Sequence, residues 1–412
     1  MSGLPLDAIR AQFPALALTD AGAPRIYLDN PAGTQVPQRV ADAVSHCLLK
    51  TNANLGGYFT TSIAAEEAAI EAHRAMARFL GASSEREIVI GPSMTNLTFA
   101  LSRSLGRTIN PGDEIVVTRM DHDGNISPWL AMAEDRGATV RWLPFDTTTW
   151  NIEPKALDNV LSNKTRIVAL NYASNLTGSI NDVAALVERI HAAGALAYVD
   201  AVQFAPHGFI DVQTLNCDFL ACSSYKFFGP HLGIVWAREQ ILSDLYAYKV
   251  RPATADLPWK FETGTPQIEL LAGLTATIGY LESLGAPHTG RDALRAAFDN
   301  ASAYERNLTA QLIEGLQSIQ GVTIAGIADP AKFESRVPTV SFTHTKRKPS
   351  HIAEALARRN IFVWSGHNYA LEIARTLNLD ESEGVVRIGM AHYNTSAEIA
   401  ITIDALREIL AA

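Results

Sequence analysis

Three groups of residues in this chain are spaced so that they could share one chemistry. The first is Ser223-Ser-Tyr-Lys226-Phe-Phe-Gly-Pro230, in which a lysine follows an apolar run and is itself followed by two aromatics and a Gly-Pro turn. A lysine desolvated at such a place has a depressed pKa, and its free amine can form an imine with a carbonyl-bearing cofactor. The second is Asp200-Ala-Val-Gln203, 26 positions earlier, where an acid ends the apolar run Ala195–Val199. A carboxylate there needs a cationic partner, and a protonated pyridine nitrogen is one, although capping a loop would also use it. The third is Gly91-Pro-Ser-Met-Thr-Asn96, which offers free N–H groups and the hydroxyls of Ser93 and Thr95. That pattern suits a phosphate at a helix start, and equally a plain N-cap. The order of cradle, acid and lysine is more specific than any one of them.

The elements around these groups must bring them to one edge. From residue 65 to 280, apolar runs alternate with helical stretches. The runs Glu87–Ile90, Glu114–Thr118, Thr139–Leu143, Arg166–Asn171, Leu196–Asp200, Asp218–Cys222 and Gly233–Ala237 read as strands. Most are continuous rather than alternating, as in a sheet covered on both faces. The stretches Ala64–Phe79, Met94–Leu105, Pro128–Arg136 and Val183–Ala193 read as helices. An α/β domain on a mostly parallel sheet follows, with its ligand beyond the carboxyl ends of the strands. After residue 266 the pattern changes to long amphipathic helices, Gln267–Leu284 and Gly290–Ile319, then short strands at Thr339–Phe342 and Ile361–Val363. A Gly/Asn loop at 365–369, the run Val385–Met390 and a closing helix at 396–410 complete it.

A chain of 412 residues exceeds one ordinary core, so two domains are expected. Apolar residues make up 47% and charged residues 19%, and the net charge of -9 disfavours nucleic-acid and anionic-membrane partners. The basic run Lys346-Arg-Lys348 reads as a solvated loop before Pro349. Cys47, Cys217 and Cys222 have neither metal-ligand nor disulfide-scaffold spacing and fit a reducing compartment; no metal site is expected. No leader pattern opens the chain and no apolar run approaches the ~20 residues of a membrane span. A cytoplasmic protein is the expectation.

With these motifs the chain resembles the class V aminotransferase family of fold-type I pyridoxal 5′-phosphate (PLP) enzymes, in the branch of group II cysteine desulfurases and selenocysteine lyases. The likeness runs from Ile26-Tyr-Leu-Asp29 to the last helix. It implies a large PLP-binding domain over residues 21–266 with a mostly parallel seven-stranded sheet. A smaller α+β domain would be formed by residues 1–20 and 267–412. It implies Lys226 as the Schiff-base lysine, Asp200 as the pyridinium partner, and Gln203 and Asn175 beside the ring. His122, in Met120-Asp-His-Asp-Gly-Asn125, would stack on the ring. Ser93 and Ser223 would hold the phosphate, and Met94 would be a further cofactor contact. Thr265, in Phe261-Glu-Thr-Gly-Thr265, would reach the cofactor of a neighbouring subunit, making the enzyme a homodimer. Arg387, in Val386-Arg-Ile-Gly-Met390, would grip the α-carboxylate of an amino-acid substrate, a task for a bidentate guanidinium.

The resemblance fails at three positions. Desulfurases carry a nucleophilic cysteine in a segment like Gly-His-His-Cys-Ala, whereas this chain has Ser365-Gly-His-Asn-Tyr369-Ala370. Tyr369 cannot take up sulfur as a persulfide. Trp364 replaces an arginine and Tyr225 a histidine usual in that group. Trp364, His367 and Tyr369 are therefore the expected substrate-side positions, with Lys226, His122 and Arg387 as catalytic residues. A C–S lyase that eliminates from a cysteine-type substrate is the leading expectation. Transamination to a keto acid and epimerisation at Cα are alternatives, and a non-catalytic PLP-fold binding protein is an alternative of a different class.

Overall fold

The computed structural model describes residues 4–411. Seven strands form the large sheet: β1 Ile88–Gly91, β2 Glu114–Thr118, β3 Thr139–Leu143, β4 Thr165–Asn171, β5 Leu196–Asp200, β6 Phe219–Ser223 and β7 Gly233–Ala237. Their order across the sheet is β1-β7-β6-β5-β4-β2-β3. Neighbours from β6 to β3 pair in parallel, and only β7 runs against its two neighbours. Every residue of β6 and β7 is buried, while β3, at one edge, alternates between exposed and half-buried positions up to buried Leu143. The other edge strand, β1, is covered and reads as a continuous apolar run like the inner strands.

Helices cover both faces, among them α1 Gln38–His46, α2 Thr60–Leu80, α3 Met94–Gly106, α4 Ser127–Arg136 and α5 Val183–Ala192. Helix α6, Ile268–Ser283, packs along α1 and α2 and buries Leu271, Leu274 and Ile278 in the cluster beneath the large sheet. The long helix α7, Gly290–Gln317, leads to a second sheet of β8 Val322–Ala325, β9 Thr339–His344, β10 Trp364–Gly366 and β11 Val385–Gly389, ordered β8-β9-β11-β10. Its core is separate and draws on Leu308, Leu312, Phe342, Ile388 and Leu406. Near the N-terminus Phe13 sits edge-on to Tyr280 at 5.4 Å and against Tyr393 at 4.9 Å, and Arg10 pairs with Glu398 at 3.0 Å. That short segment thus touches α6, the chain after β11 and the closing helix Ser396–Ala411.

One local expectation changes. Trp364–Gly366 is not all loop: it is the edge strand β10, with Trp364 opposite Arg387 in β11. Too few apolar residues occupy it for a sequence pattern to show. No helix among the described residues is long and apolar enough to cross a membrane.

Candidate active site

A cavity of about 270 Å³ opens where β4, β5 and β6 end. Its wall carries Ser93, Met94, His122, Asn175, Asp200, Gln203, Ser223, Lys226 and Arg387, brought together from six chain segments more than 290 residues apart at the extremes. Trp364 and Tyr369 line its mouth, 55% and 67% exposed. Two expected positions lie elsewhere. Thr265 lines a different cleft with Asn96 and Arg103, and His367 stands behind Tyr369, accepting the Tyr369 N–H at 3.0 Å.

The phosphate-like turn is built by close approach. Ser93 caps α3, its hydroxyl accepting the Asn96 N–H at 3.1 Å, so the helix start faces the cavity. Gly233 of β7 presses against this turn. A Cβ there would stand 2.0 Å from the Ser93 carbonyl carbon and 2.1 Å from the Met94 nitrogen, distances only glycine permits.

Lys226 occupies a single turn after β6, anchored by fully buried Phe227 and Phe228. Phe227 stacks on Phe79 at 4.9 Å, and the Phe228 N–H donates to the Thr34 hydroxyl at 2.8 Å. The Lys226 ammonium donates to the carbonyl of Pro31. Burial, followed by the Arg387 charge, pulls its pKa down to about 7. The opposite happens to Asp200. Burial pushes its carboxyl up to about 7, against the Val202 N–H that it accepts at 2.8 Å.

His122 follows β2 and accepts the Gly124 N–H on Nδ1 at 2.9 Å. Burial, then the charges of Lys226 and Arg387, hold its pKa near 4, so the ring is neutral at ordinary pH. Beneath it, Asn125 donates to the Asp121 carboxyl at 2.6 Å and accepts the Trp129 indole N–H at 3.2 Å. The loop is thereby fixed from below. From above, the Asp123 N–H donates to the Tyr369 carbonyl at 2.7 Å, and the Tyr369 ring stacks on His122 at 5.4 Å. Asn368 and Tyr369 both adopt positive φ, 51° and 57°. Such values are uncommon for tyrosine, and this loop is held by its partners, among them Asn175, whose amide donates to the Asn368 carbonyl at 2.8 Å.

Arg387 is 4% exposed and donates to the Asn175 carbonyl at 3.1 Å and to the Asp29 carboxylate at 3.5 Å. Asp29, Asn171 and Asn368 are contributors that sequence reasoning missed. Asn171 ends β4 directly opposite Asp200 in β5, so its strand-end position was the available signal. Asp29 and Asn368 gave none, because only the fold brings them to Arg387 and Asn175.

Four buried polar atoms on this wall have no protein partner: Gln203 Oε1, Asn175 Oδ1, Asn368 Oδ1 and Arg387 Nε. Leaving such a group unpaired costs about 1–3 kcal/mol each, so the wall is shaped for a ligand offering both donors and acceptors. Asp200, a carboxyl without a cation in contact, asks for a protonated nitrogen, and the start of α3 asks for an anion. A pyridoxal phosphate meets all of these demands.

Comparison with known proteins agrees with this geometry. The family model described as Aminotransferase class-V matches residues 26–401. The chain is 33% identical over 420 residues to an aminotransferase-like protein, FGM3, of Gibberella zeae, covering 99% of each. It is 32% identical to a probable cysteine desulfurase of Streptomyces coelicolor, covering 98% of this chain and 97% of the relative. Among solved structures, an apo cysteine desulfurase from Thermococcus onnurineus superposes with a TM-score of 0.89 at 26% identity, covering 100% of this chain and 99% of that one.

Proposed function

The chain belongs to the class V aminotransferase family of PLP-dependent enzymes, and from that premise we propose that it is a C–S lyase. In this reading it removes a sulfur substituent from a cysteine-type amino acid, giving a thiol, pyruvate and ammonium with one water consumed. The observation that carries the proposal is a buried lysine with a lowered pKa and a buried arginine with a free Nε in one cavity that no thiol lines. Cys47, Cys217 and Cys222 are all buried and absent from the wall, and burial raises the thiols of Cys217 and Cys222 above their usual range. A persulfide carried by the enzyme therefore has no residue to form on.

Lys226 would hold the cofactor through Nζ, Asp200 its ring nitrogen, and the start of α3 with Ser93 and Ser223 its phosphate. When bound, pyridoxal phosphate supplies an electron sink for charge released at the substrate Cα. The chain's residues supply the rest. Arg387 takes the substrate carboxylate, held by Asp29 and the Asn175 carbonyl at an angle that leaves Nε free. Lys226 Nζ, with a pKa near neutrality, removes the Cα proton and can return it at the departing sulfur. Asp200 would hold a proton at a bound pyridine nitrogen. His122, neutral at ordinary pH, would stand beside the ring without competing for that proton. Trp364 and Tyr369 at the mouth restrict water and favour an apolar substituent on the sulfur.

We further place the enzyme as a homodimer in the cytoplasm. Leu49, Tyr58 and Phe59 are 76%, 101% and 59% exposed along one segment, an apolar surface that a second copy would cover. Thr265 lies outside its own cavity, where it is free to serve a partner's. The three free cysteines suit a reducing compartment. The test of the activity is to incubate holoenzyme with cysteine-type substrates and assay sulfide or thiol, pyruvate and ammonia together. Equal amounts of the three support the lyase. A keto acid formed only with an amino acceptor, and no sulfur product, would replace it with transamination.

A further inference from the structure

Arg336 is 4% exposed, and its pKa is pulled down to about 9 by burial alone. Among the described residues no carboxylate pairs with it, so the cost of burying the guanidinium must be offset by its hydrogen bonds. Those bonds all go to main-chain carbonyls, and they come from three segments. Nη1 donates to the Ile327 carbonyl just past β8. Nη2 donates to the Thr339 carbonyl at the start of β9, and to the Thr177 carbonyl at 3.4 Å in the turn after β4. A planar fork can serve acceptors that arrive from different sides, which an ammonium on a flexible stem does poorly.

The backbone closes the same seam. The Val337 N–H donates to the Gly178 carbonyl at 2.8 Å, and the Ile180 N–H to the Ser335 carbonyl at 2.9 Å. Gly178 has a φ of 77°, and a Cβ there would stand 2.4 Å from the Thr339 carbonyl oxygen and 3.1 Å from Arg336 Nη2. The turn and the start of β9 therefore meet with no spare room. A further tie, from the Ser341 hydroxyl to the Leu176 carbonyl at 2.6 Å, lies along the seam but leaves Thr177 and Thr339 to Arg336.

Both sides of the seam continue into the catalytic cavity. The Thr339 hydroxyl accepts the Gln203 amide at 3.0 Å, which leaves Gln203 Oε1 unpaired. Two residues before Thr177, Asn175 accepts Arg387 on its carbonyl at 3.1 Å and gives its amide to the Asn368 carbonyl at 2.8 Å, so that its Oδ1 is unpaired as well. We propose that Arg336 is a positioning residue. Its guanidinium locks the turn bearing Asn175 to the strand bearing Thr339, and so fixes where Asn175 and Gln203 present their free oxygens to the cofactor. The proposal rests on the reading of that cavity as a pyridoxal phosphate site.

An oxygen acceptor beside a titrating group favours its protonated form, so displacing these two should lower the pH at which the cofactor's visible absorbance changes. The experiment is a titration of that absorbance in the holoenzyme from about pH 5 to 10. Arg336→Lys keeps the charge but loses the fork, and should move the midpoint down by about one unit, a tenfold change in proton affinity. Thr339→Val removes only the hydroxyl that Gln203 uses and should move the midpoint the same way. The two together should shift it by less than their sum, because both act through Gln203. Leu308→Ala, in the separate core of the second sheet, should lower the melting temperature and leave the midpoint in place. The proposal is overturned if Arg336→Lys melts lower yet titrates as the wild type, or if Leu308→Ala shifts the midpoint equally. Should Arg336→Lys not fold, a Thr339→Val enzyme that titrates as the wild type overturns it instead. A wild-type protein that takes up no pyridoxal phosphate would overturn the cofactor reading itself, whereas a normal visible band with unmoved midpoints overturns only the role of Arg336.

Discussion

Lys226 and Asp200 both titrate near pH 7 in the folded chain, one pulled down and the other pushed up by the same burial. For Lys226 the unfolded chain holds the extra proton between about pH 7 and its ordinary value of 10.5, so stability rises with pH across that window. For Asp200 the folded chain holds it between 3.8 and about 7, so stability falls as pH rises there. The pair makes its least favourable contribution near neutrality. Cofactor-free Lys226→Met should therefore be more stable than the cofactor-free wild type below pH 7, by the order of a few kcal/mol. The gap should close by pH 10.5, and denaturant melts at several pH values would read it. In the holoenzyme, Arg387→Lys should raise KM by about tenfold to a hundredfold with a smaller effect on kcat, because an ammonium lacks the two-pronged fork. Tyr369→Phe should change kcat by less than about threefold; a hundredfold loss on cysteine-type substrates would make the phenol an acid or base in the reaction.

The decisive element is the junction of β7 with the start of α3. Its sequence is legible as a strand and a capped helix, but nothing in Gly233-Ile-Val-Trp-Ala237 says that its first residue touches the Ser93 turn. Gly233→Ala should displace that turn and weaken PLP by tenfold or more, with a stability loss of the order of 1–3 kcal/mol from overpacking. A cofactor titration followed by visible absorbance, alongside thermal melting, separates the two effects. The strands themselves were legible because covered strands are continuous apolar blocks. Strand β10 was not: Trp364-Ser-Gly366 has no pattern, and it exists because β11 offers a free edge.

At the scale of the molecule, the exposed apolar segment around Leu49 and Tyr58 should be an interface between two copies. Tyr58→Glu is expected to shift the sedimentation of the holoenzyme towards monomer and lower cofactor retention, since Thr265 would then serve no partner. A dimer unaffected by Tyr58→Glu and by Leu49→Asp would place the interface elsewhere. The sequence alone determined where the residues proposed to hold the cofactor stand in the fold. Asp200, Ser223 and the turn at Ser93 sit at strand ends, and Lys226 one turn beyond β6, where local pattern and spacing dictate position. It also determined that a tyrosine stands where sulfur chemistry would need a thiol. Only tertiary structure decided that Asp29 holds Arg387, that Asn368 and Tyr369 fold back onto His122, and that Arg336 meets the Thr177 carbonyl. Those contacts join residues 159 to 358 positions apart, and no local periodicity carries the register between elements so distant in the chain.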